Sequence, residues 1–191
     1  MALRLRKNME GKRFPAIVVC AVSLGVLAVP TSAAAIGCPG ADTRPGETTT
    51  GAYSGALLCT LNQERVKRNL PRLVSKAPLA RAATGHSESM RSQGYFSHDS
   101  QNGASFIDRI RQNGYMAGAS AWGVGENIGW GQGNLGTPQS LMGAWMNSPP
   151  HRANILDRRF RHIGVGIAWG SPFGGGAGSV TITADFGFAK R

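Results

Sequence analysis

The spacing of apolar residues predicts helices in the first two-thirds of the chain. Leu57, Leu58 and Leu61 fall on one helical stripe, and similar spacing returns further along the sequence. Glycine, proline and capping residues set the ends of these segments. Helices are therefore predicted over about 54–70, 75–94, 105–113 and 137–148.

Two local motifs bear on where these helices begin and end. The segment "SFID" approximates a capping box, in which Ser105 and Asp108 each bond the backbone of the other. The dipeptide Pro149–Pro150 is expected to end the fourth helix, because proline cannot continue a helix interior. This places His151 at a stiff corner of the chain.

The last third of the chain changes to a period of two, which predicts strands. "HIGVGIAW" (162–169) and "SVTITADF" (179–186) alternate apolar residues with small or polar ones. Gly164 and Gly166 lie opposite the apolar face, which indicates that a helix packs closely on that side. A further strand is expected at "VGENIGW" (124–130). Helices followed by strands predict an α+β fold with a mixed sheet covered by helices.

The first 35 residues have the order of a secretory signal peptide. A basic stretch is followed by an apolar run at 16–29 and by small residues, and cleavage is expected after Ala35. The alternative is an uncleaved membrane anchor, although the run is shorter than the roughly 20 residues a spanning helix needs. The predicted organisation is a signal peptide at 1–35, a polar arm at 36–53 and one domain at 54–191. The protein is then secreted, with no transmembrane segment after signal removal.

The net charge of the chain and the distribution of its basic residues indicate which kinds of binding partner to expect. Five basic residues and one acidic residue leave with the signal, which lowers the formal net charge from +11 to +7. The remaining Lys and Arg residues are scattered and form no block interleaved with aromatic residues, so no nucleic-acid partner is expected. An anionic cell-envelope or lipid surface fits this charge better. A solvated basic face without a partner is the simpler alternative.

Two cysteines remain after the signal, and both lie in an oxidising compartment if the chain is exported. Cys38 and Cys59 are expected to form one disulfide that joins the polar arm to the first helix. The alternative is two free thiols. A metal site at these residues is disfavoured, because neither belongs to a CxxC motif or has a neighbouring histidine.

The four histidines occupy different settings in the predicted elements. His86 lies on the apolar stripe of the second helix and is expected to be packed, and His162 opens a strand and is expected at the surface or an edge. His98 lies in a loop between two helices, where functional residues are common. No close spacing such as HExxH marks a self-contained metal motif, so any site has to be assembled from distant segments.

Glu126 is the most conspicuous acidic residue, since "GVGENIGW" places a carboxylate in an apolar and glycine-rich stretch. Burial raises the pKa of such a carboxyl unless a cation or hydrogen-bond donors compensate. Glu126 is therefore a functional candidate. A structural carboxylate that bonds backbone amides is the alternative.

Six motifs in order resemble the CAP superfamily of cysteine-rich secretory proteins, venom antigens and plant pathogenesis-related proteins. They are "LNQERVKRNLPRL", "HSESM", "GYFSHDS", "GENIGWG", "LMGAWMNSPPHRANILD" and "HIGVGIA…ADFG", and the similarity is greatest to the bacterial, SCP-like branch. The resemblance covers about residues 54–187. It implies a three-layer α-β-α sandwich with a central, mostly antiparallel sheet.

The resemblance also implies a cleft lined by two histidines and two acidic residues. The matching positions here are His98, Glu126, Ser148 and His151, so serine replaces the second acid. Two neutral imidazoles, at His98 and His151, are expected to hold Zn²⁺ or another divalent cation, with water completing the shell. Glu126 would then orient a histidine or the bound water.

Two functions follow from these expectations. The first is a secreted binding or interaction module whose His-lined cleft takes up a divalent metal or a small ligand, lipids included. The second is a metal-assisted hydrolase acting on the cell envelope or on proteins, with Glu126 as base. Ser148 favours the binding module, because a pair of glutamates for proton transfer is missing.

Overall fold

The computed structural model describes residues 37–191 of the chain. Residues 36–191 form one compact unit. The signal peptide predicted over 1–35, with its cleavage site after Ala35, lies outside the described residues.

A four-stranded sheet lies between two layers of helices. The strand order is β1-β3-β4-β2, with β1 parallel to β3 and the other pairs antiparallel. This confirms the predicted α+β class and the three-layer α-β-α sandwich with a mostly antiparallel sheet. The strands are β1 (Val74–Ser75), β2 (Ala121–Gln132), β3 (His162–Trp169) and β4 (Ser179–Lys190). The helices are α1 (Thr50–Val66), α2 (Ala77–Gln93), α3 (Phe106–Gln112), α4 (Pro138–Asn147) and α5 (Pro149–Leu156), with a 3-10 turn at Gly133–Gly136.

The main core fills the space between one face of the sheet and the layer formed by α1, α4 and α5. Alternate residues of β3 and β4 supply the sheet side of this core, as the period of two predicts. A smaller core, which includes Leu79, Ile110 and Tyr115, lies on the other face beneath α2 and α3. The buried apolar residues of the sheet in the main core are Ile163, Ile167, Val180, Ile182, Ala184 and Phe186.

Helix α2 packs directly on the backbone of β3. A Cβ atom built at Gly164 would lie 2.0 Å from the carbonyl carbon of Leu79, and one at Gly166 would lie 2.1 Å from that of Ala83. Only glycine permits such an approach, because any side chain would occupy the space of the helix backbone. The close helix predicted from the two glycines is thereby confirmed.

The first helix begins earlier than predicted. Thr49 is its N-cap and accepts a hydrogen bond from the amide of Ala52, so that α1 starts at Thr50 rather than near Ser54. The last four residues of the arm predicted over 36–53 are therefore helical. The apolar pattern missed this turn because it contains Gly51 and carries no stripe.

The two prolines after α4 have a second role. Helix α4 ends at Asn147, as predicted, but Pro149–Pro150 also begin α5, since proline is tolerated in a first helical turn. The predicted end of α4 is confirmed, and the start of α5 at the same two prolines adds to it. His151 consequently lies in the first turn of a helix, which fixes the direction of its side chain.

A disulfide joins the N-terminal arm to α1. Cys38 and Cys59 are bonded, as predicted, and are 21 residues apart. In the chain-entropy view, a loop of this size stabilises the fold by roughly 3 kcal/mol.

The contact between α2 and β3 predicts opposite effects for two glycine substitutions. Gly166→Ala is expected to lower the free energy of unfolding by about 3 kcal/mol or more, because the methyl group overlaps the backbone of α2. Gly143→Ala, in helix α4, has no atom within 4 Å of the added carbon and is expected to be neutral or to stabilise by up to about 1 kcal/mol. Urea denaturation of both variants compares them, and equal stabilities would contradict the packing described.

Candidate functional site

Glu126 and Asp185 lie side by side on the face of the sheet that α2 and α3 cover. They are directly opposite each other in the antiparallel pair β2–β4, and strand β2 is an edge of the sheet. Asp185 also pairs with Gly164, whose α-carbon faces α2. The sequence alternation thus brings two carboxyl groups into one buried layer.

The carboxylate of Glu126 is buried and held by two cationic side chains. Its side chain is 1% exposed, and Arg109 of α3 donates from Nη2 to Oε2 at 2.6 Å. The Nδ1 atom of His98 lies 2.7 Å from Oε1. A buried carboxylate requires such partners, because desolvation of an unpaired charge is costly.

Arg109 also fixes the loop that carries His98. Its Nη1 atom donates to the hydroxyl of Ser100 and to the carbonyl of Ala104, both at 3.1 Å. One guanidinium therefore joins the loop between α2 and α3 to the edge strand. The planar geometry of arginine suits several hydrogen bonds in fixed directions.

The His98 ring is half-exposed, and its charged form is favoured. The hydrogen bond to Glu126 raises the pKa of His98, with partial burial opposing this and the charge of Glu126 adding to it. Since Nδ1 donates to Glu126, the Nε2 atom is the one left to face solvent or a ligand. Within residues 37–191, Nε2 has no hydrogen-bond partner.

The His151 ring is held by Ser148, at the position where the resemblance to the CAP superfamily implies a second acidic residue. Its Nδ1 atom lies 2.8 Å from the hydroxyl oxygen of Ser148, the N-cap of α5. Burial lowers the pKa of His151, and the nearby positive charge of His98 lowers it further. The ring is therefore neutral near pH 7. When Nδ1–H donates to Ser148, the lone pair of Nε2 is free to bind a cation.

Two asparagines fix α5 against the edge strand. Asn127 donates to the carbonyl of His151 at 3.1 Å, and Asn154 donates to the carbonyl of Glu126 at 3.0 Å. The two amides also bond each other at 2.9 Å. These bonds tie α5 to β2 through the backbone, and they set the position of His151 relative to Glu126.

Asp185 is a member of this site that sequence reasoning missed. Its carboxyl is almost completely buried, and this burial raises its pKa well above the usual range. The negative charge of Glu126 raises the pKa further, and the positive charge of Arg109 lowers it. The adjacent Glu126 carboxyl favours a neutral Asp185, which then has a proton that it can donate towards Glu126. Both of its carboxyl oxygens are buried and lack a hydrogen-bond partner among the described residues.

Arg109 and His86 were also missing from the predicted site. His86 is buried, as expected of a packed histidine, and its Nε2 donates to the carbonyl of Ser97 at 2.9 Å. This bond holds the residue that precedes His98. The pKa of His86 is lowered, mainly by burial. The sequence signal that could have identified them is a polar residue on the buried face of a helix. Both His86 and Arg109 are buried helical residues on the side of the sheet that contains Glu126.

His162 differs from its predicted surface or edge position. It is half-buried at the start of β3, which is an interior strand, and its Nδ1 shares a 2.8 Å hydrogen bond with the hydroxyl of Tyr115. The prediction failed because β1, which covers that side of β3, has only two residues and no readable pattern.

The donor atoms among the described residues do not form a closed metal centre. Within the described part of the chain, no three or more His, Cys, Asp or Glu side chains are grouped so as to hold a metal. Both oxygens of Glu126 are engaged, so the open donors are the Nε2 atoms of His98 and His151. Such a set leaves most coordination positions to water or to a ligand.

The sequence model of the cysteine-rich secretory protein family, CAP, matches residues 58–184. This chain belongs to that family. The matched range begins in α1 and ends in β4, and it contains all the site residues described above except Asp185.

Two proteins of Bacillus subtilis (strain 168) are similar in sequence. The uncharacterized protein YkwD is 38% identical over 115 residues, which make up 60% of this chain and 42% of that protein. The uncharacterized membrane protein YlbC is 37% identical over 111 residues, or 58% of this chain and 30% of that protein. The chain thus spans less than half the length of these relatives.

Solved structures share the fold. An extracellular protein containing a SCP domain from Bacillus anthracis str. Ames is 27% identical with a TM-score of 0.57, covering 76% of this chain and 45% of that chain. An outer surface protein from Borrelia burgdorferi is 18% identical with a TM-score of 0.61, covering 77% of this chain and 98% of that chain. Within residues 37–191, no helix combines the length and the apolar character needed to cross a bilayer.

The buried Asp185 predicts an unusual dependence of stability on pH. Its raised pKa means that the folded state keeps a proton that the unfolded state releases above about pH 4. This group therefore makes the protein less stable as the pH rises from about 4 towards the folded-state pKa. Asp185→Asn, which keeps a donor to Glu126, is expected to remove that loss and to raise stability at pH 7–8.

Urea denaturation between pH 4.5 and 8 measures this effect. Asp185→Ala serves as the contrasting variant, because it leaves a cavity and removes the donor to Glu126, so it is expected to destabilise at every pH. A wild type and an Asp185→Asn variant with parallel stability profiles would show that Asp185 is ionised in the folded protein.

Proposed function

We propose that this chain is an exported CAP-domain binding module that takes up a divalent cation, or a small ligand that coordinates one, between His98 and His151. The observation that carries the proposal is the arrangement of the two rings. Each Nδ1 atom is held by a neighbour, Glu126 or Ser148, which leaves each Nε2 atom as an oriented donor. Such outer partners fix the tautomer and direction of metal-binding histidines.

The surroundings of Glu126 favour binding over hydrolysis. A general base needs a free lone pair directed at the substrate. Arg109 and His98 occupy one oxygen each. Glu126 is thus suited to positioning His98 and holding α3, not to accepting a proton from water.

A bound divalent cation would supply positive charge and open coordination positions for a ligand. The side chains of this chain would orient the two imidazoles. Glu126 orients His98, Ser148 orients His151, and Asn127 holds the backbone carbonyl of His151. Five concavities on residues 37–191 have volumes of about 250–460 Å³, and none of these five is lined by His98, Glu126 or His151. This favours a shallow site for a small polar ligand, and the lipid ligand stays a prediction.

Export is part of the same proposal. The disulfide between Cys38 and Cys59 requires an oxidising compartment. The similar Bacillus anthracis protein is described as extracellular. Together with the signal-like sequence of residues 1–35, these observations support secretion.

Zinc titration by calorimetry tests the metal part of the proposal. Wild type is expected to bind one Zn²⁺, and His98→Ala/His151→Ala is expected to lose at least about tenfold in affinity. His162→Ala is the matched control, since it removes a histidine outside the site. Affinity is expected to rise with pH up to the raised pKa of His98 and then level off, because zinc must displace the His98 proton.

Equal zinc uptake by wild type and by the double variant would refute the metal part of the proposal. Casein and peptidoglycan should both remain intact after incubation with the zinc-loaded protein. Zinc-dependent turnover that Glu126→Gln abolishes would instead establish the hydrolase.

A gain of affinity is expected from restoring the missing acid. Ser148→Glu places a carboxylate beside His151 at the N-terminus of α5, where negative charge is tolerated. We expect zinc to bind about tenfold more tightly, which corresponds to about 1.4 kcal/mol. Ser148→Gln is the control without charge. If Ser148→Glu binds zinc no better than Ser148→Gln, position 148 does not face the bound ion.

A further inference from the structure

Two adjoining concavities form a basic groove at the end of the sheet where β3 begins. One has a volume of about 460 Å³ and the other about 320 Å³, and His162 and Ala189 line both of them. Among the described residues, no acidic side chain lines either concavity. The basic groove is defined here by its five cationic residues, Lys76, Arg159, Arg161, Lys190 and Arg191.

Most of these cations lack a carboxylate partner in the part of the chain that the structure describes. Arg159 pairs with Asp157 at 2.6 Å. Within residues 37–191, no ion pair involves Lys76, Arg161 or Lys190. Their positive charges therefore add to one another instead of being neutralised by carboxylates. Each of these charges makes the binding of an anion more favourable.

A buried arginine lies close enough to Arg161 for the two charges to repel each other. Arg65 is fully buried, and its guanidinium donates to backbone carbonyls, among them those of Ile155 at 2.7 Å and Phe160 at 3.1 Å. Its pKa is lowered, by burial first and then by the charge of Arg161. Two guanidinium groups thus repel each other here, and the charge of Asp157 compensates them in part.

His162 lies between the two concavities and responds to the charges around it. The hydroxyl of Tyr115 is bonded to its Nδ1, and Lys76, Arg161 and Lys190 lie on the elements around it. The pKa of His162 is lowered, by burial first and then by Lys76. An anion bound in the groove would offset Lys76 and raise this pKa, so the ring is an internal reporter.

We propose that the basic groove is a binding site for phosphate groups, separate from the His98–His151 site. A phosphate carries up to two charges and several acceptor oxygens, so it can engage two or more of the unpaired cations at once. A carboxylate carries one charge and would leave most of the groove uncompensated. The phosphate can come from a soluble phosphate monoester or from the monoester headgroup of a lipid such as phosphatidic acid, which present the same chemistry to these side chains.

Pyrophosphate titration at about 0.15 M salt tests the site, because distant charges are screened there. Lys76→Gln/Lys190→Gln is expected to weaken pyrophosphate binding at least about tenfold. Lys67→Gln/Arg68→Gln removes the same charge at the exposed end of α1 and is expected to change affinity less than about twofold. Equal losses in both variants, or no binding by wild type at millimolar pyrophosphate, would overturn the proposal.

Proton NMR of the histidine rings provides a readout that folding defects do not mimic. Saturating pyrophosphate is expected to raise the pKa of His162 in wild type and to leave that of His151 unchanged. A His162 pKa that does not move would exclude the groove as the site.

Vesicles distinguish the two sources of phosphate. Stronger binding to phosphatidic acid than to phosphatidylcholine vesicles, lost in Lys76→Gln/Lys190→Gln but kept in the control variant, would assign a lipid headgroup. Pyrophosphate binding without vesicle binding would assign a soluble phosphate ester. Vesicle binding lost equally in both variants would overturn the site in favour of general surface charge.

Discussion

The buried carboxylate of Glu126 is the group on which the rest of this site depends. A carboxylate that is 1% exposed must be compensated, and the compensation comes from Arg109 on α3 and from His98 on the preceding loop. Each partner brings its own segment against the edge strand. Burial raises the pKa of Asp185, and the same charge raises it further, because two adjacent buried carboxylates cannot both be ionised at low cost.

The close packing of α2 on β3 allows the loop that carries His98 to lie next to Glu126. Gly164 and Gly166 let the helix backbone touch the strand, so that its C-terminal end and the following loop are brought over the polar layer of the sheet. His86 then holds the carbonyl of Ser97 one residue before His98. Backbone packing therefore affects the position of the site residues. The two glycines determine the distance between α2 and the sheet, and the position of α2 determines that of the loop that carries His98.

Periodicity predicted most of the elements, because the apolar stripes, the capping box at Ser105 and the glycine face of β3 are local patterns. The positions of His98, Glu126, Ser148 and His151 came from the family resemblance. The missing parts were the long-range pairs: Arg109 and Glu126 are 17 residues apart, and Asp185 meets Glu126 only through strand pairing. Spacing along a chain carries no information about which polar residue on a strand face is opposite a carboxylate.

The two candidate binding regions differ in how their charge is balanced. At His98 a divalent cation would replace the proton that the ring holds, so binding would leave one more positive charge beside Glu126. In the basic groove, Lys76 and Arg161 face a neutral His162 and have no carboxylate partner in the described part of the chain. The first region therefore favours neutral-pH binding of cations, and the second favours anions more strongly as the pH falls.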